Sequence, residues 1–193
     1  NFIIDATDVT DGYVGLVNKM GSNAKIKDIT FENVSIMTNG GQTFNRVGIL
    51  AGESNGAQVN NVKIINADIN VTGFADSTRG TSYFGSFFGF ANTGTVLNRV
   101  MVEDIDVTDG YFTMAGGFIG AGYATISASG SLGANKLYSY ANNVKLIASY
   151  AGGIVGANAG SISYTTANDI QYNNENNTTS NQYTKEIYKS GLK

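Results

Sequence analysis

The chain contains no cysteine, histidine, proline or tryptophan. Without cysteine it forms no disulfide and offers neither a thiolate nucleophile nor the usual zinc ligands. Without histidine it lacks the side chain that most often acts as a general base near neutral pH or binds a transition metal. These absences favour a protein that is not an enzyme and has no transition-metal cofactor.

Charge is also scarce. Charged residues make up 14% of the 193 residues, and the net charge is −3. Lysine and arginine form no cluster, which argues against nucleic acid or an anionic membrane as the partner. No apolar run is long enough to span a membrane, so no membrane insertion is expected. Because the chain starts at Asn1 rather than methionine, we expect a processed product or a piece of a longer protein.

The apolar residues that are present follow an internal repeat. One block reads apolar, Asn, polar, β-branched, variable, apolar, and Lys27 is its one exception at the Asn position. The five copies are 26–31, 59–64, 97–102, 141–146 and 167–172. Stacking these blocks predicts a structural ladder of Asn60, Asn98, Asn142 and Asn168 at a corner, where Asn tolerates left-handed backbone. It also predicts an inner apolar column of Ile29, Val62, Val100, Val144 and Ile170.

A glycine-rich element precedes each block. It reads Gly, two or three apolar residues, Gly, and occurs at 15–17, 48–52, 85–89, 116–120 and 152–156. In the first copy we place Lys19 where the second glycine would stand. The leading glycines recur roughly every 31–37 residues, which is within the range of stacked-repeat proteins.

β-Branched and aromatic residues dominate the apolar positions, and no stretch keeps a helical period, so an all-β fold is predicted. A barrel or sandwich with hairpins at Asn39-Gly40, Asn55-Gly56 or Asp109-Gly110 remains an alternative. The repeat favours a right-handed β-solenoid, or β-helix, of about five irregular coils. Residues 1–172 would form this repeat domain, and residues 173–193 an Asn-rich linker or terminal cap.

The glycine element followed by Asn-Val or Asn-x-Val resembles the GLUG-type repeats of large bacterial surface proteins and IgA-peptidase-like proteins. The best matches are Gly48–Val62 and Gly152–Ile162, and the resemblance covers most of residues 8–172. It implies a secreted or cell-surface β-solenoid and carries over no catalytic residue.

Aspartates are the candidate metal ligands. Asp5, Asp8 and Asp11 are evenly spaced, and Asp104, Asp106 and Asp109 cluster similarly, so these oxygens could hold Ca²⁺. However, the stretch DVTDGY occurs at both 8–13 and 106–111, which the internal repeat already explains. We therefore favour turn aspartates that bond their own backbone, with no cofactor.

Aromatic residues are the candidate partner surface. Tyr83, Phe88, Tyr111 and Phe112 lie near the third and fourth glycine elements, and exposed aromatic faces bind sugars and proteins well. Because neighbouring side chains on a strand point to opposite faces, we expect Phe87 or Phe88 to be exposed. Most of these rings are nevertheless expected to fill the core.

These observations favour a non-enzymatic β-solenoid segment of an exported bacterial surface protein, located outside the cell, that acts as an adhesive rod or stalk. Its expected partner is a glycan or a host or cell-surface protein. One alternative is a polysaccharide-active β-helix, a lyase or hydrolase, which would need an acid–base pair of carboxylates or Ca²⁺ with a basic residue. Another is an architectural module that self-associates end to end, because open strand edges pair with other strands.

Overall fold

The structure, a computed structural model, describes residues 2–9, 11–38, 45–71, 82–110, 112–128, 139–173 and 183–187. These residues form β-strands and no helix. The strands are β1 (Phe2–Asp5), β2 (Tyr13–Val14), β3 (Val17–Met20), β4 (Lys25–Met37), β5 (Arg46–Val47), β6 (Ala51–Ser54), β7 (Gln58–Asn70), β8 (Tyr83–Gly85), β9 (Phe88–Ala91), β10 (Val96–Asn98), β11 (Met101–Asp109), β12 (Phe112–Gly116), β13 (Ile119–Gly122), β14 (Thr125–Ser127), β15 (Ser139–Gly152), β16 (Val155–Asn158), β17 (Ser161–Ile162), β18 (Thr165–Asn173) and β19 (Tyr183–Ile187).

The strands pair in three parallel ladders. Ladder A contains β1, β4, β7, β10, β11, β14, β15, β17 and β18. Ladder B contains β2, β5, β8, β12 and the end of β15, so it joins ladder A through β15. Ladder C contains β3, β6, β9, β13 and β16. Each sequence repeat thus contributes to every ladder, and the all-β prediction is confirmed.

The hairpin alternative is wrong for the described residues, where the one antiparallel pair joins β18 to β19. The Asn55-Gly56 turn links β6 of ladder C to β7 of ladder A, and Asp109-Gly110 links ladder A to ladder B. The third predicted turn, Asn39-Gly40, lies outside the described residues. Parallel neighbours need crossover connections, which a two-residue turn cannot make.

Two columns of glycine bring ladders B and C together. The leading glycines stack in register as Gly15, Gly48, Gly85, Gly116 and Gly152. The second column holds Gly52, Gly89, Gly120 and Gly156. A Cβ at Gly120 would lie 2.7 Å from the backbone nitrogen of Phe84 in ladder B. The backbones therefore touch where side chains are absent.

The first repeat departs from this column at a different residue from the one predicted. Lys19 pairs with Glu53, and Val17 with Ala51, so Asn18 takes the second glycine position. The segment that connects the two glycine columns is one residue shorter in the first repeat than in the others. Counting residues from the leading glycine therefore pointed to Lys19 and not to Asn18. Asn18 is exposed, and its Nδ2 donates to Asp11 Oδ2 at 2.7 Å.

Ladder A bends at residues with left-handed backbone. Among the described residues, nine other than glycine have φ between 49° and 56°, and they form two columns five residues apart along the chain. One column is Asp28, Asn61, Arg99 and Tyr164, and the other is Asn33, Asn66, Asp104, Asn143 and Asp169. Asn and Asp adopt this conformation at lower cost than other side chains with a Cβ. Each bend shifts the alternation by one residue, which keeps the apolar side chains inside.

The predicted asparagine ladder forms only in part: Asn60 pairs with Asn98 and Asn142 with Asn168, but the two pairs lie in different columns and one residue before the corners. Asn60, Asn98, Asn142 and Asn168 each precede a left-handed corner residue rather than occupy it. Moreover, Asn98 pairs with Asn60, whereas Asn142 pairs with Glu103 in the next column. The corner residues themselves form the bonds between repeats: Asn61 Nδ2 to Asp28 Oδ1 at 2.8 Å, Asn66 Nδ2 to Asn33 Oδ1 at 2.5 Å, and Asn143 Nδ2 to Asp104 Oδ1 at 2.6 Å.

The predicted apolar column divides at the same place. Ile29 pairs with Val62, as predicted. Because Met101 pairs with Lys63, the residues before them, Val100 and Val62, are also in register, as predicted. Val144 and Ile170 instead stack with Ile105 in the next column. The block at 141–146 thus aligns with 102–107 and not with 97–102. The two segments are hard to distinguish because each long strand carries the same apolar–corner–apolar pattern twice.

The core lies between the three ladders. Its largest fully buried side chains are Phe84, Phe87, Phe88, Phe112, Phe118, Ile36, Ile49, Leu50, Ile64, Ile69 and Leu97. The predicted exposure of Phe87 or Phe88 is wrong, because the chain bends between ladders B and C at this point and both rings point inward. Phe87 packs edge-on against Phe118, with their ring centroids 5.6 Å apart.

Candidate ligand-binding surface

Two columns of outward side chains face each other along ladders B and C. The ladder B column is Tyr13, Arg46, Tyr83, Met114 and Tyr150. The ladder C column is Lys19, Glu53, Phe90, Ala121 and Ala157. Because the glycine columns let the two backbones touch, side chains of the same repeat reach each other across the junction.

The contacts across the junction change along the columns. In the first repeat Lys19 Nζ lies 4.1 Å from the centroid of the Tyr13 ring. In the second repeat Arg46 Nη1 pairs with Glu53 Oε2. In the third repeat the rings of Tyr83 and Phe90 lie 5.5 Å apart. The surface therefore changes from cationic and aromatic, through an ion pair, to purely aromatic.

The aromatic part continues into the fourth repeat, and we call Tyr83, Phe90 and Tyr123 the aromatic strip. Phe90 and Tyr123 are 6.4 Å apart and nearly perpendicular. Tyr123 is 52% exposed, whereas Tyr83 and Phe90 are half-buried. Beside Phe90 and Tyr123 lies a shallow depression lined by small residues, Ala121, Gly122, Ala157 and Ala159. Flat rings next to small side chains leave room for a flat apolar ligand face.

A polar cluster borders the aromatic strip. Glu53 is buried, and its carboxylate accepts hydrogen bonds from Arg46 Nη1 and from Asn92 Nδ2, the latter at 2.7 Å. Asn92 Nδ2 also lies 2.5 Å from Asn55 Oδ1. The Arg46 guanidinium lies 4.7 Å from the Phe90 ring centroid, so the charge stacks directly on the strip. This cluster holds donors and acceptors in fixed positions beside the rings.

The structure corrects half of the predicted aromatic surface. Tyr83 lies in the strip, but Phe88 and Phe112 are fully buried and are excluded from any surface. Tyr111 lies outside the described residues. The sequence reasoning missed Phe90 and Tyr123, because only the position of the opposite ladder decides which ring of a strand remains exposed. The available signal in the sequence was the two-residue spacing of Phe88 and Phe90 on one strand. This spacing assigns both rings to the same face, so it does not show which of them is exposed.

The candidate calcium ligands do not come together. Among the described residues no group of three acidic side chains is placed to hold a metal ion. Asp5 and Asp11 accept bonds from the backbone nitrogens two residues ahead, at 3.0 and 3.2 Å. The bond from the Thr7 nitrogen lowers the pKa of Asp5. Turn aspartates of this kind bond their own backbone, in agreement with the favoured interpretation.

The second group of aspartates lies on the outer face of ladder A. Asp104 accepts from Asn143, and Asp106 Oδ2 lies 2.8 Å from Lys145 Nζ. The hydrogen bond from Lys145 to Asp106, and then their opposite charges, raise the pKa of Lys145. Asp8 is exposed, and the side chain of Asp109 lies outside the described part. The preference for no cofactor over Ca²⁺ stays a prediction.

No protein-family model, curated protein or solved structure matches the chain significantly. The described residues contain no helix that is long and apolar enough to cross a membrane. The aromatic strip and the polar cluster beside it are therefore the features that bear on function.

Proposed function

We propose that the chain is a right-handed β-solenoid of about five coils, part of an exported bacterial surface protein, and that it binds a glycan through the aromatic strip. The parallel ladders support the solenoid, since each repeat adds one layer to each ladder. The resemblance to GLUG-type repeats and the lack of cysteine and histidine support a non-enzymatic, exported segment.

The aromatic strip beside the polar cluster is the observation that carries the glycan assignment. A sugar ring has an apolar face that stacks on an aromatic ring, and hydroxyl groups at its edge that need hydrogen-bond partners. Tyr123 and Phe90 supply the rings, and Arg46, Glu53 and Asn92 supply donors and acceptors. Because the strip spans two layers, the third and fourth repeats, it contacts a linear chain of sugars better than a single ring.

The test measures binding of neutral and acidic polysaccharides by calorimetry after a glycan-array screen. We expect Tyr123→Ala to lower affinity about tenfold, because one aromatic contact contributes about 1 kcal/mol beyond its buried area. Met37→Ala is the control, since Met37 is an exposed apolar side chain on ladder A. Equal affinity for both variants, or no binding to any glycan, would contradict the proposal and favour a purely architectural module.

The polysaccharide-active alternative has its own readout. Incubation with each bound glycan, followed by analysis of chain length, would detect cleavage. Glu53 is the carboxylate beside the strip, and Arg46 and Asn92 already engage it. Cleavage that disappears in Glu53→Gln would replace the adhesive function by the enzymatic one. Antibody labelling of intact cells that make the full protein tests the surface location.

A further inference from the structure

The first repeat leaves part of ladder A uncovered. Strand β4 pairs with β7 along Lys25–Met37, but β1 covers only Val34–Met37 on its other side. Ile29 is 43% exposed, although its partner Val62 in the next repeat is fully buried. Among the described residues no strand pairs with 25–33 on this side, so this stretch presents backbone groups without a strand partner and an apolar side chain, the features that attract another strand.

The opposite end of ladder A indicates the direction that a covering strand takes. There β19 pairs antiparallel with β18, and Glu186 and Lys185 lie opposite Thr166 and Ala167. Through the register of the ladder, Thr166 and Ala167 are the equivalents of Thr30 and Phe31 in the first repeat. An antiparallel strand therefore fits the same bent stretch of this ladder.

The uncovered stretch is complementary to itself in that direction. If Lys25 of one copy lies opposite Glu32 of another, then Ile26 lies opposite Phe31, and Lys27 opposite Thr30. Exposed positions then meet exposed positions, and the half-buried Ile26 and Phe31 meet each other. The bend at Asp28 lies at the centre of the pairing in both copies, so both strands bend together. Each contact occurs twice, as two-fold symmetry requires.

We propose that two copies of this chain associate head to head by antiparallel pairing of residues 25–32 in their first repeats. Ladder A then continues from one copy into the other, and the facing strand covers Ile29, which lies opposite Asp28 of the other copy. This interface lies at the edge of the first repeat and is independent of the glycan surface. Salt weakens it, because Lys25 and Glu32 form two ion pairs at its edge.

Charge reversal tests the pairing in the 193-residue chain by analytical ultracentrifugation over a range of concentrations. Lys25→Glu and Glu32→Lys should each weaken dimerisation about tenfold, since two cross-strand pairs become repulsive in each case. The double variant K25E/E32K should restore the dimer. Mixing the two single variants should also give a heterodimer, because each reversed charge then meets its opposite. Circular dichroism checks that every variant keeps its strands.

Ile29→Asp is a second, independent disruption. In this register residue 29 lies opposite Asp28 of the other copy, so the variant places two pairs of carboxylates beside the two-fold axis and should abolish the dimer. The side chain of Ile29 is already 43% exposed, so the core keeps its packing. Tyr150→Asp is the matched control, with 65% exposure in the fifth repeat, and should leave the dimer unchanged. A monomer at all concentrations, or single charge reversals that do not weaken the dimer, would overturn the proposal. Failure of the double variant to recover would exclude this register.

Discussion

The two regions where the chain changes direction use opposite means. Between ladders B and C, paired glycine columns remove side chains so that backbone packs on backbone. Along ladder A, asparagine and aspartate adopt left-handed backbone, and asparagines donate to the aspartate or asparagine at the same corner of the neighbouring repeat. The first region depends on an absence of atoms, and the second on a tolerated conformation with polar side chains.

The two regions therefore constrain the sequence to different degrees. A Cβ in the glycine columns meets backbone atoms, which cannot move without shifting a whole strand. A corner residue is exposed or half-buried and does not pack in the core, so another side chain there costs mainly the conformational preference and one hydrogen bond. This explains why one corner holds Arg99 and another Tyr164, whereas the second glycine column varies only in the first repeat.

The largest effect is expected at Gly120. Gly120→Ala places a Cβ 2.7 Å from the Phe84 nitrogen and 2.8 Å from its carbonyl oxygen. We expect a loss of about 3 kcal/mol or more in the free energy of unfolding, because the obstacle is backbone. Gly21→Ala is the control: nothing lies within 4 Å of its Cβ, and a gain of about 0.5 kcal/mol is expected. Similar urea midpoints for the two variants would remove the distinction between the regions.

A smaller loss is expected at the corner residue Asn66. Asn66→Ala should cost about 1–2 kcal/mol, because alanine adopts left-handed backbone poorly. Asn66→Gly should cost less, since glycine accepts this φ and loses only the bond to Asn33. Asn142→Ala, at a half-buried asparagine outside the corner columns, should cost less than Asn66→Ala, about 0.5 kcal/mol. If Asn142→Ala and Asn66→Ala are equally costly, the corner interpretation fails.

The exception in the glycine column provides a weaker test. Asn18→Ala should change the free energy of unfolding by less than about 0.5 kcal/mol, because Asn18 is exposed and bonds only the surface residue Asp11 in the described structure. The same column therefore tolerates a side chain in the first repeat and excludes one at Gly120. Thermal melts of Asn18→Ala and Gly120→Ala measured side by side check this prediction, and a large loss at Asn18 would contradict it.

The smallest effect concerns pH and ladder A. Partial burial, and then the negative charge and hydrogen bond of Glu103, raise the pKa of Tyr140 above 10.0. The contribution of Tyr140 to stability is therefore fully present below pH 10.0 and is lost as pH rises through its folded-state pKa. Tyr140→Phe should lose less stability in this alkaline range than the unaltered chain. Denaturant titrations on both sides of pH 10.0 compare them, and identical slopes would speak against the raised pKa.

The sequence predicted the all-β class, the parallel stacking of Ile29 on Val62, and four of the five second-column glycine positions. It misplaced Val144, because the apolar–corner–apolar pattern occurs twice in each long strand and a shift of five residues matches almost as well. It also selected Phe88 rather than Phe90 for the candidate surface, since both lie on one strand and alternation does not tell them apart.

Where the backbones touch follows from the sequence alone, because a glycine that recurs once per repeat marks a place without room for a side chain. Which asparagines stack depends on the three-dimensional fold, since the pairing of neighbouring strands chooses between two equivalent registers. The fold also determines which rings reach solvent: Phe88 and Phe112 are fully buried, whereas Tyr123 is 52% exposed. Register and burial depend on which segments lie next to each other, and the residues of one segment alone do not specify its neighbours.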